Sequence, residues 1–234
     1  MPYKKSQARK SFDIEIDKMI LVIRSTFSNK TTASDTKNYV LSSCVMLGTA
    51  KIEVYFEDLI DGWINKVNLA GLNSSHLPNS LKAVYINQPF LSNAFKRFIV
   101  DSNESNFIDS IIGQLNNHHF HLTDNVKIIP RLDPKKIYQN KKYPSPDNLK
   151  TLFKRIGVNN VFNELNRSAR ADLQNVLQSF NDFRTAIAHN GIPAGINDRD
   201  VIEKLKSIKG LIYHVDKTLF KHINRHTTIA TWAA

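Results

Sequence analysis

One helix in the C-terminal third of the chain carries two residues whose side chains could do chemistry together. Arg184 lies in the middle of an otherwise apolar helical face, and His189 follows five residues later at the end of the same helix. An imidazole can move protons near neutral pH, and the negative end of the helix dipole favours its protonated form. A guanidinium can hold a phosphate and offset the charge that develops on its oxygens. The pair therefore suits phosphodiester chemistry.

The position of Arg184 poses a physical problem. The apolar residues that share its face are Leu173, Val176, Leu177, Phe180, Phe183 and Ile187. A guanidinium is costly in a dry core, so Arg184 needs a carboxylate partner, or its face must open to a cleft or a second subunit. On an ideal helix Arg184 and His189 point about 140° apart, so they meet only if the last turn unwinds or two subunits contribute. The plainer alternative is an arginine in a salt bridge and a histidine that caps the helix.

Long amphipathic helices must position these residues, because apolar side chains recur along the chain at three- and four-residue steps. Asn190-Gly191 predicts a helix stop in which glycine takes a left-handed backbone. The expected long helices run from about Ser11 to Ser28, Thr36 to Val67, Ser168 to Ala188 and Asp198 to Asn224. Shorter helices are expected near residues 89–100, near 104–116 and just after Pro144.

These patterns predict an all-α helical bundle in one domain, residues 12–225, with a loop-rich insertion at about 117–146. A basic N-terminal arm, residues 1–11, precedes the domain, and a C-terminal tail, residues 226–234, follows it. We expect the arm to be disordered and to attract polyanions without specificity.

Composition narrows the class of protein. The 234 residues include 32 Lys and Arg against 21 Asp and Glu, a net charge of +11 that favours a polyanionic partner such as nucleic acid. The single cysteine, Cys44, excludes a disulfide framework and a cysteine-based zinc site. There is no apolar run of membrane-spanning length, no secretory signal pattern and no glycine-rich phosphate loop. We expect a cytoplasmic protein that needs no cofactor and no metal.

Three segments together resemble the HEPN superfamily. Residues 183–190, FRTAIAHN, resemble its Arg-x4-6-His signature. Residues 45–60, VMLGTAKIEVYFEDLI, resemble the second long helix of the family. Residues 144–157, PSPDNLKTLFKRIG, resemble a segment that precedes the motif helix in the RiboL-PSP-HEPN-type subgroup. The resemblance covers about residues 12–225, and the combination is more specific than the motif alone.

The resemblance implies a bundle that dimerises through the motif helices, so that each subunit lends an arginine and a histidine to one composite cleft. It implies a metal-independent endoribonuclease, in which a ribose 2′-hydroxyl attacks the adjacent phosphate and leaves a 2′,3′-cyclic phosphate. His189 would be the general acid or base, Arg184 would stabilise the phosphorane, and Asn190 would orient the phosphate or the histidine. Thr185 occupies a position that is often Asn, Asp or His in the family, where it can still hydrogen-bond.

An acidic residue on the second helix often neighbours the active site in this family. Glu53 lies at the edge of the apolar arc of that helix, where it could orient Arg184 through a charge-assisted pair. The alternative for Glu53 is a solvated helix face, which is what we expect for Glu57 and Asp58.

Two weaker patterns lie in the insertion. Lys135, Lys136, Lys141 and Lys142 alternate with Tyr138 and Tyr143. Such lysines can follow a phosphate backbone and such tyrosines can stack on unpaired bases, although a polar surface loop explains the segment equally well. His118-His119-x-His121 invites a metal interpretation, but its flanks lack cysteine, and we expect a polar loop.

The intact arginine and histidine favour RNA cleavage. The resemblance implies a toxin or antiphage-defence setting, with transfer RNA as a candidate target and an antitoxin as a candidate regulator. The alternative is a non-catalytic HEPN module that binds RNA or a protein partner. Family members of that kind usually lose the arginine or the histidine, and this chain has both.

Overall fold

The computed structural model describes residues 2–86, 89–115, 122, 124–193, 195–227 and 231–232. Ten α-helices and one short 3₁₀ helix lie within these ranges, which contain no β-strand and only one isolated bridge, between Asn73 and Ile128. The all-α prediction is therefore confirmed. The helices are α1 Gln7–Ser28, α2 Ser34–Leu69, α3 Asn79–Ile86, α4 Pro89–Asp101, α5 Glu104–Leu115, α6 Lys135–Tyr138, α7 Pro146–Arg155, α8 Val161–Ala169, α9 Leu173–Asn190 and α10 Asp198–His226.

Helix α2 is the centre of the bundle, as its long apolar stripe predicts. Thirteen of its residues are buried, and they face α1, α9 and α10. Helix α1 runs antiparallel to α2, because Phe12 meets Tyr55 near one end and the Cys44 thiol approaches the Met19 carbonyl further along. Burial of this much apolar surface is what holds the four helices together.

Gly48 allows three helices to meet closely. A Cβ atom added to Gly48 would lie 3.1 Å from Leu205 on α10 and 3.2 Å from Phe180 on α9. Both neighbours are fully buried, so neither side chain can swing into solvent. The missing side chain at position 48 therefore fixes how near α9 approaches α2.

The N-terminal segment is not a disordered arm, which corrects the sequence-based expectation. Ser6 caps α1, which begins at Gln7 and not near Ser11. The carboxylate of Asp216 on α10, which is fully buried, accepts hydrogen bonds from the hydroxyls of Tyr3, Ser6 and Tyr55 and from the Ser6 backbone N–H. The pKa of Tyr55 is raised well above its usual value, mainly by burial and secondly by the nearby Asp216 carboxylate.

The C-terminal tail also packs against this end of the molecule. The indole N–H of Trp232 donates to the Lys4 carbonyl at 2.8 Å, and the Lys66 ammonium donates to the Trp232 carbonyl. Lys4 and Trp232 therefore lie side by side.

Several element boundaries differ from the prediction. Helix α9 begins at Leu173 and not at Ser168, because Arg170 ends α8 with a φ of 54° and Asp172 caps the next helix by accepting from the Asn175 N–H. Helices α3, α6 and α8 were not predicted. The remaining predicted helices are present within a few residues of their expected bounds.

The described part of the insertion, residue 122 and residues 124–146, is irregular apart from α6 and Pro146, the first residue of α7. It is fastened to the bundle by buried apolar side chains, namely Leu122, Ile129, Leu132 and Ile137. Of the helices in the described ranges, none combines the length and low polarity that crossing a membrane requires.

Candidate functional site

Helix α9 carries Arg184 and His189, and its rotation is fixed by burial. Its apolar stripe packs against α2, α8 and α10, with Leu177, Phe180 and Ile187 fully buried. Arg184 is half-buried at the border of this stripe, whereas Thr185, His189 and Asn190 are exposed.

The last turn of α9 does not unwind. The helix continues to Asn190, and the Gly191 N–H donates to the Ile187 carbonyl at 2.9 Å, which is a regular α-helical bond. Gly191 has a φ of 73°, the positive value that the sequence predicts. Arg184 and His189 of one chain therefore point about 140° apart, as on an ideal helix.

Arg184 has neither an ion pair nor a hydrogen bond with any residue in the described ranges. Its Nε atom is buried and has no hydrogen-bond partner there. An unpaired buried donor costs about 1–3 kcal/mol, so the surrounding structure holds Arg184 against this cost. The carboxylate partner that the sequence argument considered for Arg184 is absent from the described chain, and Arg184 is itself only half-buried.

Glu53 does not pair with Arg184 within one chain. It is half-buried on α2, on the side where Lys142 lies. Lys142 is bound by Glu57, one turn further along, and this hydrogen bond raises the pKa of Lys142, with a smaller contribution from Glu53. Glu57 is therefore not simply solvated, and the proposed orienting role of Glu53 has no contact in the described chain.

The lysine-tyrosine segment is only partly free to meet a substrate. Tyr138 is 5% exposed, and its hydroxyl donates to Asp61 at 3.1 Å. Burial and this carboxylate raise the pKa of Tyr138. Lys142 lies over the same ring, 5.4 Å from its centroid. The expectation that Tyr138 stacks on unpaired bases is therefore wrong, because its faces are covered by the bundle and by Lys142.

An open pocket of about 780 Å³ lies beside α6, and every lysine and tyrosine of the segment except Lys141 lines it. Lys135 is exposed, Lys141 and Tyr143 are half-exposed, and Lys136 lies over the Tyr85 ring. The pocket is lined by Asp133, Lys135, Lys136, Tyr138, Gln139, Asn140, Lys142, Tyr143 and Asn148. Its lining offers ammonium and amide groups that can contact a phosphate backbone, together with apolar surface and the Asp133 carboxylate.

Asn181 is a polar residue of the motif helix that the sequence analysis did not single out. It is buried one turn before Arg184, and its Nδ2 donates to the Pro144 carbonyl at 2.8 Å. Its Oδ1 is buried without a hydrogen-bond partner among the described residues. The sequence signal that could have identified Asn181 is an amide side chain among positions that are otherwise apolar and buried.

Metal ligation has no candidate in the described ranges, where no three His, Cys, Asp or Glu side chains come together. His118, His119 and His121 lie outside those ranges.

The sequence matches the RiboL-PSP-HEPN family model over residues 14–221, which is most of the chain, and the protein belongs to this family. Membership indicates an RNA-related function. No curated protein and no solved structure matches the chain.

Proposed function

We propose that the protein is a metal-independent endoribonuclease that works as a homodimer, with Arg184 of one subunit facing His189 of the other. The observation that carries this proposal is the geometry of α9. The helix is intact to Asn190, so the two side chains diverge within one chain, while Arg184 has no partner among the described residues. A two-fold pairing of the motif helices would place His189 of each subunit near Arg184 of the other, because each contact occurs twice in such an interface.

The chemistry follows from the two side chains. His189 accepts the proton of a ribose 2′-hydroxyl while that oxygen attacks the adjacent phosphorus. Arg184 stabilises the negative charge on the phosphorane oxygens. The bond from phosphorus to the 5′-oxygen then breaks, and that oxygen takes a proton from an imidazolium. The products are a 2′,3′-cyclic phosphate and a 5′-hydroxyl end, and no water is consumed.

The other predicted residues support this centre. Asn190 and Thr185 are exposed on the same helix, within reach of a substrate that approaches its end. Lys135, Lys136, Lys141 and Lys142 attract RNA to the pocket beside α6, and the net charge of +11 adds general attraction. We assign no base-stacking role to Tyr138, and Glu53 would act on Arg184 only across the dimer.

The proposal is tested first with the purified protein, total RNA and EDTA. Cleavage should persist in EDTA, the new ends should carry 2′,3′-cyclic phosphates, and Arg184→Ala or His189→Ala should abolish it. Products that require magnesium, or activity that survives both substitutions, would contradict the mechanism.

Subunit mixing tests the composite centre directly. A dimer of one Arg184→Ala chain and one His189→Ala chain, purified through two different tags, retains one intact pairing of Arg184 with His189. We expect about half of the wild-type activity from this mixed dimer, although both parent variants are inactive. A mixed dimer as inactive as its parents would place the two residues of each site in one chain.

A toxin or antiphage-defence role is the cellular setting that we propose, with an antitoxin as the regulator and transfer RNA as a candidate target. Expression in bacteria should arrest growth, and His189→Ala should relieve the arrest. The second candidate function, a non-catalytic module, is favoured if the protein binds RNA tightly without forming cyclic-phosphate ends.

A further inference from the structure

Four buried side-chain atoms in the described ranges lack a hydrogen-bond partner, and two of them lie one turn apart on α9. The four are Arg9 Nη1, Trp63 Nε1, Asn181 Oδ1 and Arg184 Nε. Three of these atoms are donors, and Asn181 Oδ1 is the acceptor among them. Since buried polar groups are almost always paired, the coincidence of a lone acceptor and a lone donor on one helix needs an explanation.

The orientation of the Asn181 amide is fixed by its other bond. Its second polar atom lies 2.8 Å from the Pro144 carbonyl oxygen, which can only accept a hydrogen bond. That atom must be the amide nitrogen, so the unpaired atom is the oxygen and a flipped amide is excluded.

The helix brings the two groups within reach of each other. Residues three apart on an α-helix have Cβ atoms about 5–6 Å apart. Helical side chains also lean towards the N-terminal end of the helix, so a long side chain at position 184 covers the turn that contains Asn181. A small rotation about the bonds of the Arg184 side chain, or one intervening water molecule, would join Nε–H to Oδ1.

We propose that Asn181 is a positioning residue for Arg184, whose Nε–H it accepts directly or through one water molecule. This contact occupies Nε–H, the guanidinium donor nearest the helix, and directs the two terminal amino groups away from α9. Those two groups present the fork that binds a phosphate through two parallel hydrogen bonds. The inference rests on the proposed function only for the identity of that phosphate as part of an RNA.

The same residue connects the motif helix to the pocket beside α6. The Pro144 carbonyl that accepts from Asn181 directly follows Tyr143, which lines that pocket. Asn181 therefore has one bond to the segment that would hold RNA, and its oxygen, three residues before Arg184, has no partner among the described residues. The loss of either contact would change the position of the Arg184 side chain.

The first test requires no RNA. The exchange rate of the Arg184 Nε–H with solvent is measured by NMR on ¹⁵N-labelled protein, with the signal assigned through its absence in Arg184→Lys. Asn181→Leu preserves size and burial but removes the acceptor, and should speed exchange roughly tenfold. Asn181→Asp retains an acceptor oxygen and should exchange as slowly as the wild type. If Asn181→Leu does not fold, Asn181→Ala replaces it.

Asn68 provides the matched control. Its Nδ2 donates to the Leu132 carbonyl at 2.9 Å and its Oδ1 accepts the Leu132 N–H at 2.8 Å, so it makes a similar structural link away from α9. Asn68→Ala should leave the Arg184 exchange rate unchanged. The proposal is overturned if Asn181→Leu exchanges at the wild-type rate, if Asn181→Asp exchanges as fast as Asn181→Leu, or if Asn68→Ala has an equal effect.

The second test uses cleavage kinetics. Asn181→Leu should lower kcat roughly tenfold and change KM little, and Asn181→Asp should recover most of kcat. An equal loss in both variants would assign Asn181 a purely structural role. If the wild type cleaves no RNA, the proposed function fails, but the exchange measurement still decides whether Asn181 positions Arg184.

Discussion

Arg184 and His189 lie on a helix that remains regular to its final residue, and this regularity separates them. Their identity and spacing were readable from the sequence, as was the problem of a guanidinium on an apolar face. The absence of a carboxylate partner for Arg184 could not be read from the sequence, because it depends on which side chains α2, α7 and α10 bring near α9. The family match supports an RNA-related function, and the roles of the individual residues stay predictions.

Tyr138 shows how a residue-scale prediction fails. Its sequence neighbours are lysines, which suggested a mobile basic loop. Its actual partner is Asp61, 77 residues earlier in the chain, and the buried Ile137 beside it anchors the segment. Local composition carries no information about a hydrogen bond formed across that distance in sequence.

Lys135, which is exposed, and Lys141, which is half-exposed, should contribute to RNA affinity where Tyr138 does not. The double variant Lys135→Ala, Lys141→Ala should weaken RNA binding and reduce the slope of log affinity against log salt by about 1.4, since each single-strand phosphate contact contributes about 0.7. Fluorescence anisotropy with a labelled RNA across a salt series measures both quantities.

Tyr138→Phe is the control for that measurement. It removes only the hydroxyl bonded to Asp61 and should leave the affinity and the salt slope unchanged. Equal losses of affinity in Tyr138→Phe and in the lysine double variant would mean that the segment acts through its fold and not through its charges.

At the scale of elements, the long helices were predictable because their apolar periodicity extends over many turns. Helix α8 was missed because it is only nine residues long, and its boundary with α9 depends on Arg170 and the cap at Asp172. Short helices such as α6 are stabilised mainly by the packing of their buried side chains, and they are too short for apolar periodicity to predict them.

Two glycines within helices should respond oppositely to substitution. Gly48→Val forces a side chain against Leu205 and Phe180 and should lower the free energy of unfolding by about 2 kcal/mol. Gly210→Ala on α10 meets no atom within 4 Å and should raise it by about 0.5–1 kcal/mol. Urea unfolding followed by circular dichroism, at one protein concentration, measures both. A stabilising Gly48→Val would mean that α9 can retreat from α2 without loss.

At the scale of the whole molecule, the first and last parts of the chain depend on each other. Asp216 accepts from Tyr3 and Ser6, the latter 210 residues away. No sequence pattern predicts this contact, because Asp216 occupies a buried position on the apolar face of α10, where the pattern predicts an apolar residue. The helix content was predictable from the sequence, but the hydrogen bonds that join Asp216 to Tyr3 and Ser6 were not.

Removing the Asp216 carboxylate should therefore be costly. Asp216→Ala leaves the buried hydroxyls of Ser6 and Tyr55 and the partly buried hydroxyl of Tyr3 without their acceptor, and should lower the free energy of unfolding by about 3–5 kcal/mol. Asp17 has a side chain that is 61% exposed and pairs with Lys209, so Asp17→Ala should cost less than about 1 kcal/mol. Denaturant titration compares them, and similar costs would show that the buried carboxylate stabilises no more than a surface one.

The bond between Ser6 and Asp216 also sets an order of events during protein synthesis. A ribosome that adds about 5–20 residues per second needs roughly 10–40 s to travel from Ser6 to Asp216. Once Leu69 has been added, α1 and α2 are complete, and for the rest of that interval they lack the helix that packs against them. The bundle of α1, α2, α9 and α10 can therefore be completed only after α10 has been translated.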